Sequence, residues 1–274
     1  MRITKAEELL ENEEIRFIGE IPNLINTDIY IHGKNNILVC EEGVTLSNSR
    51  IDFHQDNSIL YLSSSVHNYQ VIISLNTNSV CFIGKDNFFN GTATMVVSEA
   101  KNLIIGNECL FSYNVVIRVS DGHALYSTKN NKRLNHAKSI FIGDHIWFGQ
   151  NAFIFKGSQI HSGSVIGAGS IVSNKIIPSN VTYAGNPARL IKENTFWIPH
   201  STQKWNEEDI EKMDTYGDDG FKFKNDETTL DFDKIDEDLL KLNAGEALEY
   251  IKTYFLNDNK NRFASNKRRF FKKN

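Results

Sequence analysis

The chain has 274 residues, of which 40% are hydrophobic and 23% charged, as in a soluble protein with one large solenoid or two ordinary domains. Its net charge of −4 argues against nucleic-acid binding, and it contains no apolar run of the roughly 18 residues that would span a membrane. The cysteines Cys40, Cys81 and Cys109 lie apart in apolar runs, which predicts buried thiols in a reducing compartment.

The N-terminal segment, residues 1–14, is polar and lacks the apolar core of a signal peptide, which predicts a cytoplasmic protein. Thr4 and Glu7 have the spacing of a capping box, and residues 5–13 have the composition of a short helix. We expect this helix to cover one end of a repeat structure, because terminal repeats need a polar cover.

Residues 15–117 contain a coarse repeat of apolar clusters. At spacings of 22, 21 and 23 residues, the clusters begin at Ile37, Ile59, Val80 and Leu103. Each cluster is preceded by an asparagine: Asn36, Asn57, Asn78 and Asn102. Asparagine tolerates the left-handed backbone of a tight corner, so the pattern predicts one strand per coil of a stacked structure.

The next cluster begins at Ile140, 37 residues after Leu103, so about 15 residues exceed one coil. The excess is the polar stretch at residues 121–138, which has no apolar period. Insertions leave a solenoid as surface loops and commonly carry binding sites. We therefore predict an extruded loop at residues 121–138.

A strict period of six follows in residues 142–177. The first residue of every hexad is apolar: Ile142, Phe148, Ile154, Ile160, Ile166 and Val172. The fifth is small or β-branched: Ile146, Ala152, Ser158, Ser164, Ser170 and Ile176. A period of six fits neither a helix nor an ordinary strand, but it fits a parallel β-helix whose chain turns a corner every six residues. The alternative is a sandwich with evenly spaced short strands.

Pro178 and Pro187 cannot donate to a strand ladder, so the coil is expected to end there, within a β-helix domain of residues 15–192. The remaining residues, 193–274, are strongly acidic between positions 207 and 249 and predict two helices. One covers residues 206–213 with Asn206 as N-cap, and the other covers roughly 234–256 with a break at Gly245. An apolar stripe is expected at Leu239, Leu242, Ala247, Tyr250, Ile251 and Tyr254.

The last 15 residues hold seven Lys or Arg and no acid, interleaved with Phe263, Phe270 and Phe271. Such a segment suits an acidic membrane surface or an acidic partner. The alternative is a disordered, solubilising tail.

His123 lies where the coil gives way to the extruded loop, and an imidazole is the side chain best able to accept and return a proton near neutral pH. Asp121 or a nearby carbonyl is the expected partner that fixes its tautomer. The alternative is a structural histidine. The position at a loop root beside a repeat scaffold favours a catalytic base.

Trp147 occupies a hexad position that points outward, where an exposed indole predicts a binding platform or a packing surface for the loop or a neighbouring subunit. His145 is expected to face outward as well, either near the acceptor site or at a solvated corner. Four histidines lie close in sequence: His123, His136, His145 and His161. Gly149 and Gln150 stand where a second zinc-binding histidine would follow His145, so no metal is expected.

The segments IGDHIWFG, IGAGSIV and AGNPARLI resemble the hexapeptide-repeat acetyltransferases with a left-handed β-helix, and SDGHALY with HIW is most similar to the capsule O-acetyltransferases. The similarity covers about residues 105–192. It implies an all-β core formed by a left-handed parallel β-helix, with the extruded loop and a mainly helical C-terminal extension. It also implies a homotrimer that binds acetyl-CoA between adjacent β-helices and acetylates a carbohydrate.

The resemblance implies that His123 deprotonates a sugar hydroxyl and that Trp147 stabilises the oxyanion. Gln150, Ala168, Ser173 and Asn174 match the positions that bind pantetheine. Lys175, Arg189 and Lys192 are the candidates for the CoA phosphates. Relatives commonly carry Thr-Lys at the positions of 173–174, whereas here the lysine is displaced to Lys175.

Two other functions stay open from the sequence. One is an acetyltransferase for a small acceptor, such as a sugar, an amino sugar or serine; the N-terminal half lacks the glycine-rich fingerprint of the nucleotide-sugar N-acetyltransferases of this fold. The other is a non-catalytic scaffold that binds a partner through the β-helix and the acidic extension.

Overall fold

The computed structural model describes residues 1–268, in which short strands wind into a left-handed parallel β-helix of about seven turns. Strand β1 (Arg2–Ile3) and a 3-10 turn at Ala6–Leu9 precede the coils. The strands of the first four coils are β2 (Ile15–Gly19), β3 (Asn23–Ile25), β4 (Asp28–Ile31), β5 (Asn36–Cys40), β6 (Thr45–Ser47), β7 (Arg50–Phe53), β8 (Ile59–Leu62), β9 (Val71–Leu75), β10 (Val80–Ile83), β11 (Phe88–Phe89) and β12 (Ala93–Val97).

The later coils contain the segment with the period of six. Their strands are β13 (Asn102–Ile105), β14 (Leu110–Phe111), β15 (Val116–Arg118), β16 (Ile140–Ile142), β17 (Trp147–Phe148), β18 (Phe153–Phe155), β19 (Gln159–Ile160), β20 (Val165–Ile166), β21 (Ile171–Ser173), β22 (Ile176–Ile177), β23 (Val181–Ala184) and β24 (Arg189–Glu193).

The coils contribute their strands to three faces, although the coil of β8 and β9 reaches the second face only through an isolated bridge between Leu46 and Tyr69. The first face is the sheet β2-β5-β8-β10-β13-β16-β19-β22, and the third face is β1-β4-β7-β9-β12-β15-β18-β21. The second face begins with β3-β6 and continues as β11-β14-β17-β20-β23-β24. Ile37 pairs with Ile59, Ile59 with Val80, and Leu103 with Ile140, so the coarse repeat of apolar clusters matches the register of the first face at these steps. It is one residue out at the remaining step, because Val80 pairs with Asn102 rather than with Leu103.

The interior of the prism is filled by identical positions of successive coils. All six first residues of the hexads are fully buried, and so are their fifth residues apart from a slightly exposed Ile176. Phe89, Phe111 and Phe148 stack at centroid distances of 4.8 and 4.9 Å, the spacing of neighbouring strands. The period of six therefore predicted the core correctly. The cysteines are also buried and free, as expected.

The asparagines at the corners only partly follow the prediction. Asn57 and Asn78 adopt the left-handed conformation, with φ of 61° and 51°. Asn36 and Asn102 are instead buried at the start of strands, where Asn36 Oδ1 accepts a hydrogen bond from the backbone N–H of Ser58 at 2.8 Å. The sequence identified the position of the corner, but not which of its residues adopts the left-handed conformation.

The prediction for the N-terminus was wrong in its details. A 3-10 turn replaces the helix expected in residues 1–14, and Glu8 rather than Glu7 accepts the backbone N–H of Thr4, at 3.1 Å. Strand β1 pairs antiparallel with β4, and β24 pairs antiparallel with β23 at the other end. Beyond Pro178 the coil continues through β23 before it reverses near Pro187.

The C-terminal extension covers the first face of the prism. Its helices are α1 (Glu207–Lys212), α2 (Phe232–Leu239) and α3 (Ala244–Tyr254), and Asn206 caps α1 as predicted. The predicted interruption of the second helix is confirmed, but it lies at residues 240–243 rather than at Gly245. Asn243 caps α3 by accepting the N–H of Glu246 at 3.1 Å, so Gly245 lies in the first turn of α3.

Apolar residues of α2 and α3 pack on the outward side chains of the first face. Phe232 lies 5.2 Å from Phe141 and Phe255 lies 5.2 Å from Phe82, between ring centroids. Of the expected stripe, Leu239, Ala247 and Ile251 are buried, Leu242 and Tyr250 are half-buried, and Tyr254 is exposed. Phe263 was expected at a membrane or partner surface, but it is buried in this packing; Phe270 and Phe271 lie outside the described residues. No described helix has the length and apolarity of a membrane span.

Candidate active site

The extruded loop leaves the corner between the third and first faces. It follows β15 and ends at β16, and an antiparallel bridge between Tyr126 and Arg133 closes it into a short hairpin. Leu125, Tyr126 and Leu134 are exposed on this hairpin. The prediction of a loop at residues 121–138 is confirmed, and these apolar side chains beside the bridge offer a contact surface.

His123 lies at the root of the hairpin and is exposed in the single chain. Its carbonyl oxygen accepts a hydrogen bond from Nδ2 of Asn135 at 2.8 Å. Neither Asp121 nor a carbonyl among residues 1–268 contacts the imidazole ring, so the expected tautomer partner is not found. Asp121 instead accepts hydrogen bonds from Lys156 Nζ at 2.5 Å and from Asn135 Nδ2 at 2.8 Å. The hydrogen bond from Lys156 lowers the pKa of the Asp121 carboxyl.

Trp147 projects outward from β17 on the second face with 40% of its surface exposed, as expected. It lies between Leu110 and Val165 of the adjacent coils, and its ring centroid is 6.0 Å from that of Trp197. Within one chain Trp147 and the root of the hairpin belong to different faces. No hydrogen bond or ring contact in the described part of the chain joins Trp147 to His123.

His145 contradicts its prediction. It was expected to face outward beside the acceptor or at a solvated corner, but it is 1% exposed, because the segment that follows β24 covers this corner. Its ring stacks between Trp197 at 4.0 Å and Phe221 at 4.5 Å, and its Nε2 lies 3.1 Å from the carbonyl oxygen of Trp197. Burial lowers the pKa of His145. His145 is therefore a β-helix residue that packs against the C-terminal extension.

The residues predicted to bind the pantetheine chain line both edges of the third face. Gln150 and Ala168 are exposed at the corner between the second and third faces, where the Gln150 carbonyl accepts the N–H of Gly169 at 2.8 Å. Gly149 permits this stacking, because a Cβ there would lie 2.4 Å from the backbone nitrogen of Ala168. Exposed Ser173 ends β21 at the opposite edge.

A group of basic residues gathers at the corner between the third and first faces. Lys138 Nζ donates to Oδ1 of Asn174 at 2.9 Å. The pKa of Lys175 is lowered by burial and, to a smaller extent, by the positive charge of Arg189. Arg189 and Lys192 both lie on β24 at the end of the second face, opposite Ala184 and Thr182 of β23. The structure thus adds Lys138 to the corner that holds Lys175, whereas Arg189 and Lys192 lie on another face.

Sequence inspection missed three residues of this region, namely Asn135, Lys138 and Lys156. Asn135 and Lys138 lie in the polar loop, where no period distinguishes one side chain from the next. Lys156 follows β18 in a hexad whose other residues fit the coil. The only available signal was spacing: Asp121 and Lys156 both follow strands of the third face in successive coils.

A second polar region lies at the corner between the first and second faces, beneath the extension. A cleft of about 320 Å³ there is lined by residues that include Glu108, Asp144, Phe221, Lys260 and Arg262. Burial, and then the charge of Asp144, raise the pKa of Glu108. The cleft contains none of the predicted catalytic residues, and no described group of three or more His, Cys, Asp or Glu is arranged to hold a metal ion.

No protein-family model matches the chain. The chain is 37% identical over 180 residues to a polysialic acid O-acetyltransferase of Neisseria meningitidis, a match that covers 64% of this chain and 83% of that protein. It is 48% identical over 107 residues to the polysialic acid O-acetyltransferase of Escherichia coli O1:K1, covering 39% of this chain and 34% of that relative. The crystal structure of the polySia specific acetyltransferase NeuO superposes with a TM-score of 0.61 at 29% identity, over 73% of this chain and 93% of that chain.

Proposed function

The chain belongs to the family of O-acetyltransferases that includes the Neisseria meningitidis protein, and from that premise we propose that it transfers acetyl from acetyl-CoA to a hydroxyl of a sialic acid polymer. The observation that carries the proposal is the pair formed by His123 at the loop root and the outward indole of Trp147. His123 lies in the loop and Trp147 on strand β17, and each supplies one of the two functions that direct acyl transfer requires: a base and an oxyanion donor.

His123 accepts the proton of the sugar hydroxyl, whose oxygen attacks the thioester carbonyl carbon. The carbonyl oxygen gains the negative charge, and Nε1–H of Trp147 donates a hydrogen bond to it. As the tetrahedral adduct collapses, the C–S bond breaks and the imidazolium of His123 returns its proton to the leaving sulfur. The products are the O-acetyl sugar and CoA.

The basic corner fits a phosphorylated cosubstrate. Lys175 and Lys138 lie at this corner, where Lys138 Nζ donates to Asn174, and the positive charge of Arg189 on β24 acts on Lys175. Backbone groups and small side chains at Gln150, Ala168 and Ser173 leave the third face open for an extended pantetheine. We propose that acetyl-CoA lies along this face, with its phosphates at the basic corner.

Because His123 and Trp147 lie on different faces of one chain, we propose a homotrimer in which His123 of one subunit meets Trp147 of its neighbour. The first face is covered by the extension, so subunits meet through the second and third faces. The third face carries half-buried apolar side chains on its outside, among them Val116, Phe153 and Phe155. A cytoplasmic location, where acetyl-CoA is made, and a peripheral membrane contact of the basic tail belong to the same proposal.

The proposal is tested by incubating the purified protein with acetyl-CoA and a panel of acceptors, and by measuring the release of free thiol. The panel contains a sialic acid polymer, a neutral polysaccharide, an amino sugar and serine. We expect turnover with the sialic polymer and a product that hydroxylamine cleaves, as it does esters but not amides. Turnover with serine or the amino sugar alone would reject the proposed acceptor, and failure to bind CoA would favour a scaffold.

The roles of the two residues are tested by variants. His123→Ala is expected to lower kcat by about 10²–10⁴-fold, the usual contribution of a general base. His136→Ala, an exposed histidine of the same loop, is the matched control and is expected to keep full activity. If His123→Ala retains the wild-type rate, His123 is not the base.

Mixed oligomers test whether the site is shared between subunits. His123→Ala and Trp147→Ala chains carrying different tags are co-expressed and purified through both tags. If each site takes His123 and Trp147 from neighbouring subunits of a trimer, every mixed trimer has one intact site, so about a third of the sites are restored although each parent variant is inactive. Recovery of no activity would place both residues in one subunit.

A further inference from the structure

A closed hydrogen-bond network holds the root of the extruded loop. Asn135 is its centre: Nδ2 donates to Oδ2 of Asp121 and to the carbonyl oxygen of His123, both at 2.8 Å, and Oδ1 accepts the N–H of Leu125 at 2.7 Å. The two amide hydrogens and the amide oxygen are all used. An asparagine is therefore required, because aspartate offers no donor and leucine offers neither function.

Lys156 joins this network to the rigid coil. It lies directly after β18, and its Nζ donates to Asp121 Oδ2 at 2.5 Å and to the carbonyl oxygen of Asn135 at 3.1 Å. The Lys156 side chain is only 17% exposed, so this ion pair is partly withdrawn from solvent. Through these bonds the next coil of the prism fixes both ends of the loop at once.

The hairpin above the root has few other attachments. Arg133 pairs with Glu99, but Lys129, Lys132 and Leu134 are exposed in the single chain. Without the root network the backbone at residue 123 would be free to move by the ångström or so that matters for a catalytic group. Displacements of about 1 Å can cost on the order of 10²-fold in rate.

We propose that Asn135 and Lys156 are positioning residues for catalysis, which hold the His123 backbone so that its imidazole meets the acceptor hydroxyl. Asn135 acts on His123 directly through its carbonyl, and Lys156 acts by holding Asp121 and Asn135. This inference rests on the proposed function, because it takes His123 as the base.

The test measures kcat and the KM for acetyl-CoA in Asn135→Ala, Asn135→Asp and Lys156→Met. We expect kcat to fall by about 10²-fold in both Asn135 variants and by at least 10-fold in Lys156→Met, while KM stays within about twofold. Asn135→Asp is informative because it keeps the shape of the side chain but removes both donated bonds. Lys156→Arg restores a donor to Asp121 and is expected to recover most of the lost kcat.

Matched controls come from the same loop. Lys129→Met removes an exposed lysine, and Asn130→Ala removes a local bond at the loop tip in which Oδ1 accepts the N–H of Lys132 at 3.1 Å. Both are expected to keep wild-type kcat. Thermal melting and circular dichroism of every variant establish that it is folded. If Asn135→Ala does not fold, the loss of kcat in Lys156→Met and its recovery in Lys156→Arg carry the test.

A double variant separates positioning from a general structural effect. If Asn135 acts through His123, adding Asn135→Ala to His123→Ala causes no further loss of the residual rate. An equal loss in both backgrounds, or an Asn135→Ala variant within threefold of wild type, would overturn the inference. The two hypotheses fail in different ways. A fully active His123→Ala would show that His123 is not the base, which contradicts the proposed function. An inactive His123→Ala together with a fully active Asn135→Ala would contradict only the positioning role of Asn135.

Discussion

Replacing Arg262 with methionine is predicted to detach the C-terminal extension from the β-helix. Arg262 is 2% exposed and lies between the extension and the corner of the prism. Its Nε and Nη2 donate to the two carboxylate oxygens of Asp144 at 3.1 and 2.7 Å. Its Nη1 donates to the carbonyl oxygens of Phe255 and Asn257. Methionine keeps much of the side-chain volume but makes none of these bonds.

The expected loss of stability can be worked out from the groups that lose their partner when Arg262 is replaced. The Asp144 side chain is only 11% exposed, and after the substitution its carboxylate keeps the N–H of Asn107, at 2.7 Å, but loses its counter-charge. The carbonyls of Phe255 and Asn257, of which that of Phe255 is buried, lose their donor as well. Removing one partner of a buried ion pair costs about 3–5 kcal/mol, and we expect Arg262→Met to lower the free energy of unfolding by that amount.

Urea unfolding followed by tryptophan fluorescence measures this change, because Trp197 is buried at the same corner. Hydrogen exchange across α2 and α3 reports whether the extension opens before the coils. Arg268→Met is the matched control: its pair with Glu193 is 35% and 47% exposed, and such surface pairs are worth about 0–1 kcal/mol.

The double variant Asp144→Asn with Arg262→Met is expected to be less destabilised than the sum of the two single variants, because it leaves no unpaired charge. A loss below about 1 kcal/mol in Arg262→Met, equal to that of Arg268→Met, would show that the buried pair does not hold the extension.

Two further predictions concern the packing under the extension and the core. His161 is buried, its ring stacks on Phe232 at 4.6 Å with Nδ1 3.1 Å from the Phe263 carbonyl oxygen, and burial lowers its pKa from 6.5 to about 4. Lys267, Asp231 and Asp233 are the charged groups near it, and they only modify this shift. Because the unfolded chain binds a proton that the folded chain excludes, stability is lost as the pH falls from about 6.5 towards 4. His161→Gln should therefore lose about 2–3 kcal/mol less than wild type between pH 7.5 and 4.5, measured by urea unfolding, and equal pH dependence would contradict this. Phe111→Ala empties the middle of a three-ring stack and should cost about 3–5 kcal/mol, against under 1 kcal/mol for the exposed Phe88→Ala.

The β-helix could be predicted because apolar residues recur in the sequence with the period of its coils. The same interior position recurs in every coil. Residues such as Phe148, Ile154 and Ile160 therefore indicate which side chains point inward and how many residues form one side of the triangular coil. The spacing of clusters also predicted the position of the extruded loop and the register of the first face, which was one residue out only between Val80 and Leu103. These features depend on local geometry that recurs in each coil.

The docking of the extension was not predicted, although the first face carried a signal for it. Its strands are apolar at consecutive positions, as in Ile59–Leu62 and Val80–Ile83, and are buried along their whole length. Strands with a solvated outer surface alternate, whereas continuous apolar strands are covered on both sides. The apolar clusters indicated only the repeat. That their outward side chains must also be covered by another part of the chain was not inferred.

Errors at His145 and Phe263 have this one cause. Both were assigned from their own segment: His145 as an outward corner, and Phe263 as part of a basic tail. The corner does point outward from the prism, but Trp197 and Phe221 cover it, and Phe263 packs between α2 and α3. A contact between separate segments leaves no period in the sequence, so neither contact could be inferred from the segment that carries His145 or Phe263.

The extension is connected to the second face, which carries Trp147, as well as to the first face. Asp144, which binds Arg262, and His145, which stacks on Trp197, lie immediately before Trp147 in the same short segment. Trp197 also contacts Trp147, at 6.0 Å between ring centroids. The extension therefore fixes the backbone on one side of the indole and the surroundings of its ring on another. A chain in which this packing is lost has lost support for a proposed catalytic residue, even where the coils themselves remain folded.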